Sequence, residues 1–240
     1  MKRKICWFLL VIFLVGSCAA HAQESPAEYT SGDYQYVLLE DGTAKITAYT
    51  GNDSELTIPD SLDGVEVTSI GDEVFDSCSF LQSVSLPNGL KTVGSGVFGE
   101  CDSLVSITLP AGLTTIGDGM FNNCDSLASV VISDGVKTIG EDAFAFCEAL
   151  TSVNIPNSVK RIDSTAFGLC EALTELFIPH TVTHIDDEAF RECDALMLIV
   201  KRGSYAETYA IKNGFRYEYE QEPADFGCCC SCSCCCQNNP

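Results

Sequence analysis

The chain has 240 residues and a formal net charge of −21, with 34 acidic against 13 basic side chains. That excess of negative charge disfavours nucleic acid and anionic membrane as partners, and leaves cationic partners and divalent ions electrostatically favoured. The single Trp is Trp7, so a Trp-lined sugar or choline site is excluded from everything beyond the N-terminal segment.

That segment is an export signal by its physical pattern. Met1 to Lys4 is basic, and Ile5 to Val15 is an apolar run of eleven residues, whereas a spanning helix needs about 20. Ala20-His21-Ala22 offers a small-x-small cleavage site, so 1–22 reads as a signal peptide. An overlapping reading stands beside it. Val15-Gly16-Ser17-Cys18 resembles a bacterial lipobox, in which Cys18 would become the lipidated first residue. The expected location under both is extracellular or at the surface of a bacterium, with membrane contact only through that lipid anchor. No later segment is long and apolar enough for a membrane helix.

Residues 23–57 read as a linker and a cap. Gln23 to Gly32 is polar and expected to be loose. Tyr34 to Leu39 and Thr43 to Tyr49 alternate with period two around Asp41-Gly42, which predicts a β-hairpin. Such a hairpin would cover the first end of a repeat array.

The array itself occupies 58–200. Cys78, Cys101, Cys124, Cys147, Cys170 and Cys193 are spaced by 23 residues, as are Phe75 to Phe190 three places earlier and Leu81 to Leu196 three places later. A fixed period of roughly 20 to 50 residues means a solenoid, whose units stack because none can bury its apolar face alone. Within 150–172, Leu150, Val153 and Ile155 form a short inward-facing strand and Pro156 ends it. Val159 and Ile162 turn inward again as a second short extended piece. One or two turns of helix carrying Ala166 and Phe167 are expected to follow. Asp72, Ser95, Asp118, Glu141, Ser164 and Asp187 hold the preceding position, and the Asp and Ser among them are expected to act as N-caps, Asp72 and Asp187 most clearly, an ion-binding row being the alternative. The first unit carries five extra residues around Asp63-Gly64, as an atypical terminal repeat would. Residues 201–220 read as the closing cap, with a helix over Ser204 to Asn213, Gly214 at its C′ position, and a strand over Phe215 to Tyr219. The fold class expected is therefore an α+β solenoid, a right-handed leucine-rich-repeat superhelix of about six repeats.

The strings Ile70-Gly-Asp-Glu-Val-Phe75, Phe98-Gly-Glu-Cys101 and Leu150-Thr-Ser-Val-Asn-Ile-Pro156 resemble BspA-type leucine-rich repeats of bacterial surface proteins. The opening around Ile58-Pro59 and the closing Gly203 to Ala210 resemble that family's ends, so the likeness runs over about 34–219. It implies an extracellular or cell-surface protein, often adhesive, without catalysis. Fold transfers through such a likeness far better than any ligand does.

Chemistry-bearing residues fall into four groups. The six ladder cysteines share the register of buried Phe and Leu and read as buried small side chains with inert thiols. On the outward positions of the first strand, early rungs carry Ser or Thr, a middle rung carries Ser129 and Val131, and later rungs carry Asn154, Glu175 and Phe177. An outward Phe on a polar sheet is a binding anchor, or else a contact for the closing cap. Lys91, Lys137 and Lys160 share one repeat position, with Arg161 beside Lys160. They make a basic row that either separates like charges in solvent or docks an acidic partner. His180 and His184 fall on exposed variable positions, and a zinc site there is not expected. No catalytic motif is present and an enzyme is not expected.

The C-terminal 221–240 is set apart by composition and expected to be disordered. Cys228, Cys229, Cys230, Cys232, Cys234, Cys235 and Cys236 place seven thiols in nine residues. Soft thiolates suit Zn or Cu(I), the only cofactors the sequence suggests, and an odd count in an oxidising place suits disulfide-linked self-association. The third reading is an end with no selected role. The functional expectation is a non-catalytic, secreted or surface protein that binds an extracellular protein or glycan and no nucleic acid. The rival expectation is a metal-binding or cross-linking structural protein acting through the tail.

Overall fold

A computed structural model describes residues 26–221. The segment 1–22 expected to be a signal peptide, Cys18 and the seven tail cysteines lie outside the described residues. The described chain is a β-solenoid of about eight turns, as the period requires.

Each repeat contributes three segments to a coil. The first is a strand of three or four residues. β4 (Glu55–Thr57), β7 (Ser83–Ser85), β9 (Ser106–Thr108), β11 (Ser129–Val131) and β13 (Ser152–Asn154) form one parallel sheet. β15 (Glu175–Ile178), β17 (Met197–Val200) and β18 (Arg216–Tyr219) form the parallel sheet that follows. The second segment is a two-residue strand. β10 (Thr115–Ile116), β12 (Thr138–Ile139), β14 (Arg161–Ile162) and β16 (His184–Ile185) stack in parallel register, and β8 (Thr92–Val93) joins β6 (Val65–Ile70). In both segments the apolar residues face inward and alternate with outward polar ones, the half-buried strand pattern.

The third segment is not the short helix expected. Its backbone passes through the left-handed region at Ser77, Glu100, Asn123, Phe146, Leu169 and Glu192, with φ between 54° and 61°. Four residues earlier in the coil, Glu73, Gly96, Gly119, Asp142 and Thr165 are left-handed as well. Residues with positive φ on both sides of the Phe cannot continue a right-handed helix. The backbone N–H groups go sideways instead. Phe75 donates to the carbonyl of Val97, Phe98 to Met120, Phe121 to Ala143, Phe144 to Ala166 and Phe167 to Ala189, at 2.8 to 3.0 Å. The segment thus satisfies its polar backbone by stacking, as a buried backbone must. The expected N-caps are corrected with it. The Asp72 Oδ1 accepts from the backbone N of Ser95 at 2.9 Å, and the Asp118 Oδ1 accepts from that of Glu141 at 3.0 Å, each on the next coil. Asp187 pairs with the Lys212 ammonium at 2.6 Å.

The core is a set of ladders. Phe75, Phe98, Phe121, Phe144, Phe167 and Phe190 are fully buried, with neighbouring ring centroids 5.2 to 5.8 Å apart and planes within 17° of parallel. Tyr49 extends the stack at one end, and Tyr209 and Phe215 meet Phe190 edge-on at the other. Beside it runs the thiol ladder. Its cysteines are free, and all but Cys78 are buried. Each buried thiol donates to the carbonyl of the Phe one coil back: Cys101 to Phe75 at 3.3 Å, Cys124 to Phe98 at 3.0 Å, Cys147 to Phe121 at 3.1 Å, Cys170 to Phe144 at 3.1 Å and Cys193 to Phe167 at 2.9 Å. These carbonyls would otherwise be buried acceptors with one partner fewer.

Gly117 lies where coils approach most closely. A Cβ there would stand 2.3 Å from the Gly94 carbonyl oxygen. Gly117→Ala is expected to cost about 2 to 4 kcal/mol, the range for forced overpacking and strain. Chemical denaturation checks this, and a cost below about 0.5 kcal/mol would show that the coils separate freely there.

Both ends are covered. β2 (Tyr34–Leu38) and β3 (Ala44–Tyr49) form the expected hairpin, and β3 pairs in parallel with β6. The stretch expected to be loose holds a further strand, β1 (Glu28–Ser31), antiparallel to β2 across Gly32-Asp33. The five extra residues of the first unit form a second hairpin, β5 (Ser61–Leu62) with β6, turning at Asp63 and Gly64 with φ of 50° and 83°. The Asp63 carboxylate accepts from the Tyr36 and Ser31 hydroxyls at 3.0 and 2.9 Å and ties the two hairpins together. At the far end α1 (Tyr205–Asn213) is capped by the Ser204 side chain and closed by Gly214 in the left-handed region, after which β18 returns alongside β17.

Candidate binding surface

The first-strand face presents two outward rows. In one, Ser83, Ser106, Ser129 and Ser152 stand in register, and Glu175 follows on the next coil. In the other, Thr108, Val131 and Asn154 stand in register, and Phe177 pairs onward with Ile199 and Glu218. The face changes character along its length. Toward the N-terminal cap it is small and hydroxylic. Toward the C-terminal cap it exposes Val131 at 49 % and Phe177 at 41 %, with Ile199 half-buried beyond them.

Phe177 is therefore not covered by the closing cap. It stands on β15 between buried Leu176 and Ile178, so its outward direction is fixed by strand alternation. Glu175 lies two residues away on the same strand and the same face. Asn154 sits on the face but its amide is already engaged. The Asn154 Oδ1 accepts from the backbone N of Ile132 at 2.8 Å and its Nδ2 donates to the Ile132 carbonyl at 3.1 Å. The equivalent bond one coil earlier, from Leu109 N to the Val131 carbonyl, is made by backbone alone. Asn154→Ala is accordingly expected to destabilise the fold by about 1 to 3 kcal/mol, through an unpaired Ile132 N–H. A thermal or urea midpoint equal to the parent's would show this pair to be idle.

The remaining site residues lie on a different face. Lys137, Lys160 and Arg161 are exposed on and beside β12 and β14, with Arg161 paired to Asp163. The structure thus brings Glu175 and Phe177 together and places the basic group on the second-strand side of the coil. Val131 is among the outward positions the sequence gives, but its alignment with Phe177 and Ile199 as apolar residues of one face was not read from it. The signal was legible, since Val131 lies two 23-residue periods before Phe177.

The chemistry such a surface supports is association. No group of three or more His, Cys, Asp or Glu side chains among the described residues could hold a metal ion. No helix among them is long and apolar enough to cross a membrane.

Comparison with known proteins agrees with this architecture. The family model for the BspA type leucine rich repeat region matches in six copies over residues 68–197. A leucine-rich-repeat protein from T. pallidum is 30 % identical, with a TM-score of 0.70 over 80 % of this chain and 98 % of that one. A leucine-rich cell surface protein from Faecalibacterium prausnitzii A2-165 is 34 % identical, with a TM-score of 0.59 over 75 % of this chain and 56 % of that one. A leucine-rich-repeat protein from Bacteroides ovatus is 27 % identical, with a TM-score of 0.57 over 72 % and 52 %. The chain thus spans nearly all of the first protein and about half of the other two. No curated protein is matched. Six matched copies, an unbroken 23-residue register and the shared solenoid place the chain in the BspA-type leucine-rich-repeat family.

Proposed function

We propose that the chain is an exported bacterial surface protein that docks a partner protein through its first-strand face, with Phe177 as the anchor. The observation that carries this is the exposure of Val131 and Phe177, two coils apart with Asn154 between them, on a strand face that is otherwise largely polar. Exposed aromatics surrounded by smaller neighbours are where interface energy concentrates. The role is binding rather than catalysis, in keeping with leucine-rich-repeat proteins generally. Extracellular location follows from the signal pattern of 1–22.

The test uses the mature chain as bait against surface extracts of host and bacterial cells. Phe177→Ala is expected to lower the affinity of a captured partner about 10-fold or more, the usual cost of losing an aromatic anchor. Phe80→Ala, at a ring 37 % exposed on another face, should leave it unchanged. Equal loss in both variants, or none in either, removes Phe177 as the anchor.

A second reading is favoured by the seven cysteines in 228–236. It assigns the tail to Zn or Cu(I) capture when reduced and to disulfide-linked assembly when oxidised. Zinc uptake and non-reducing gels of the full chain, compared with a chain ending at residue 227, decide it. Identical behaviour leaves the tail with neither role.

A further inference from the structure

A second surface is distinct in chemistry from the Phe177 face. The backbone of Lys160 stacks directly on that of Lys137, its N–H donating to the Lys137 carbonyl at 2.8 Å. Arg161 and His184 stand in register on the same short-strand ladder. Both lysines are exposed, and among the described residues neither lies within ion-pair distance of a carboxylate. The nearby acids along the chain are Asp134, Asp163 and Asp186, of which Asp163 pairs with Arg161. Like charges on adjacent rungs repel and cost stability. A chain with 34 carboxylates has alternatives for these positions, yet here it stacks cation on cation.

The composition of the stripe says what it fits. None of the large exposed apolar side chains lies on it. Tyr and Trp anchors of the kind that concentrate protein-interface energy are absent from the stripe, and its one arginine, Arg161, is already paired with Asp163. Thr114, Thr138 and Thr183 border the lysines. The cations run along the stack axis at one coil per step, about 4.8 Å. An extended chain with charges separated by sugar rings can follow such a row. Nucleic acid is the poorer match, since a duplex carries one charge per about 1.7 Å, far denser than one cation per coil.

We infer that Lys137, Lys160 and Arg161, with His184 at the end of the row, form a docking stripe for an extended polyanionic glycan bearing carboxylate or sulfate groups. This site is separate from the Phe177 face, and Phe177→Ala should leave it intact.

The experiment measures binding of the mature chain to polygalacturonate oligomers, dextran sulfate oligomers, neutral dextran and oligo-dT at about 50 mM salt and above. Binding to at least one of the charged glycans and none to dextran is expected, and the tighter of the two identifies the acidic group. Lys137→Gln/Lys160→Gln should weaken it 10-fold or more and lower the salt slope by about one to two. Arg191→Gln/Lys201→Gln, an equal change of charge at two exposed positions off the stripe, should weaken it less than 2-fold. Thermal midpoints of both double variants verify the fold. No binding to either charged glycan, tighter binding to oligo-dT, equal binding to dextran, or equal loss in the control variant each overturns the proposal.

Discussion

Replacing Phe144 by alanine lowers the stability of the folded chain by about 3 to 5 kcal/mol. The ring is fully buried and lies 5.4 Å from that of Phe121 and 5.2 Å from that of Phe167, near-parallel to both. Its removal forfeits transfer free energy and leaves a cavity. That cavity cannot collapse easily, because the backbone at this rung is held on both sides. Phe144 donates to Ala166 and Phe121 donates to Ala143, so the two neighbouring coils fix the spacing. Two ring-to-ring contacts are lost as well, each worth about 0.5 to 1.5 kcal/mol beyond area. The rung is central, so the solenoid has no frayed end at which to absorb the defect. In a chain stabilised by nearest-neighbour contacts, that weakens the coupling between the two halves. Urea unfolding followed by far-UV circular dichroism should show a lower midpoint and a broader transition. Phe146→Ala, at a ring 43 % exposed two residues on, should stay within about 1 kcal/mol of the parent. A loss below 1 kcal/mol for Phe144→Ala would mean that the ring column is not the core.

The ring column was legible because a period survives any error in naming secondary structure. Phe, Cys and Leu columns fixed which positions face inward before any strand was assigned. The third segment was not legible in the same way. Asp and Ser before an apolar pair signal a helix start, but they are equally at home in turns. What decides between the two is whether a neighbouring coil offers carbonyls within reach, and that is a tertiary fact. One local hint was present. Gly96 and Gly119 share a column with Glu73, Asp142 and Thr165, and glycine recurring there marks a left-handed position. The Gly32-Asp33 pair likewise marked the turn between β1 and β2, beneath a polar composition that suggested disorder.

Among the site residues, Phe177 was legible by parity on its strand, since Leu176 and Ile178 must face inward. Asn154 was legible as outward but not as a bonding partner. At that position the side-chain oxygen takes the place a backbone carbonyl holds one coil earlier, and no pattern in a single repeat announces this. The segregation of lysines from carboxylates was visible as a column. That neither lysine finds an acid required the packed structure.

The thiol ladder should make the fold sensitive to alkali. Burial pushes the Cys124 thiol up to about 12 from an ordinary 9.0, and burial raises those of Cys101, Cys147, Cys170 and Cys193 as well. The sign follows from which state holds the proton. Above pH 9 the unfolded chain releases thiol protons that the folded chain keeps, so the unfolded state gains and stability falls. Below pH 8 both states are protonated and these groups contribute no slope. One unit above the unfolded value, each thiol that stays protonated in the folded chain favours unfolding by about 1.4 kcal/mol, and the four most strongly raised, Cys101, Cys124, Cys147 and Cys170, together by roughly 5 to 6 kcal/mol. That approaches the whole stability of an ordinary domain. Tyr34, raised to about 12, adds to the effect only above its own unfolded range near 10. Urea midpoints should therefore be flat from pH 7 to 8, fall from pH 9, and vanish near pH 10 to 11. A variant with serine at all five buried positions keeps a hydroxyl donor for each Phe carbonyl and removes the titrating group. It is expected to be less stable at pH 7, because a hydroxyl buries less apolar surface than a thiol, and flatter between pH 8 and 10. Alkylation mapped by mass spectrometry offers an independent reading, since the attacking species is the thiolate. At pH 8 without denaturant the five buried cysteines should stay unmodified for hours, and in urea they should all react. Rapid labelling of the ladder in the folded chain, or a parent whose stability holds through pH 10, would show that the coils open locally and that the column is not sealed.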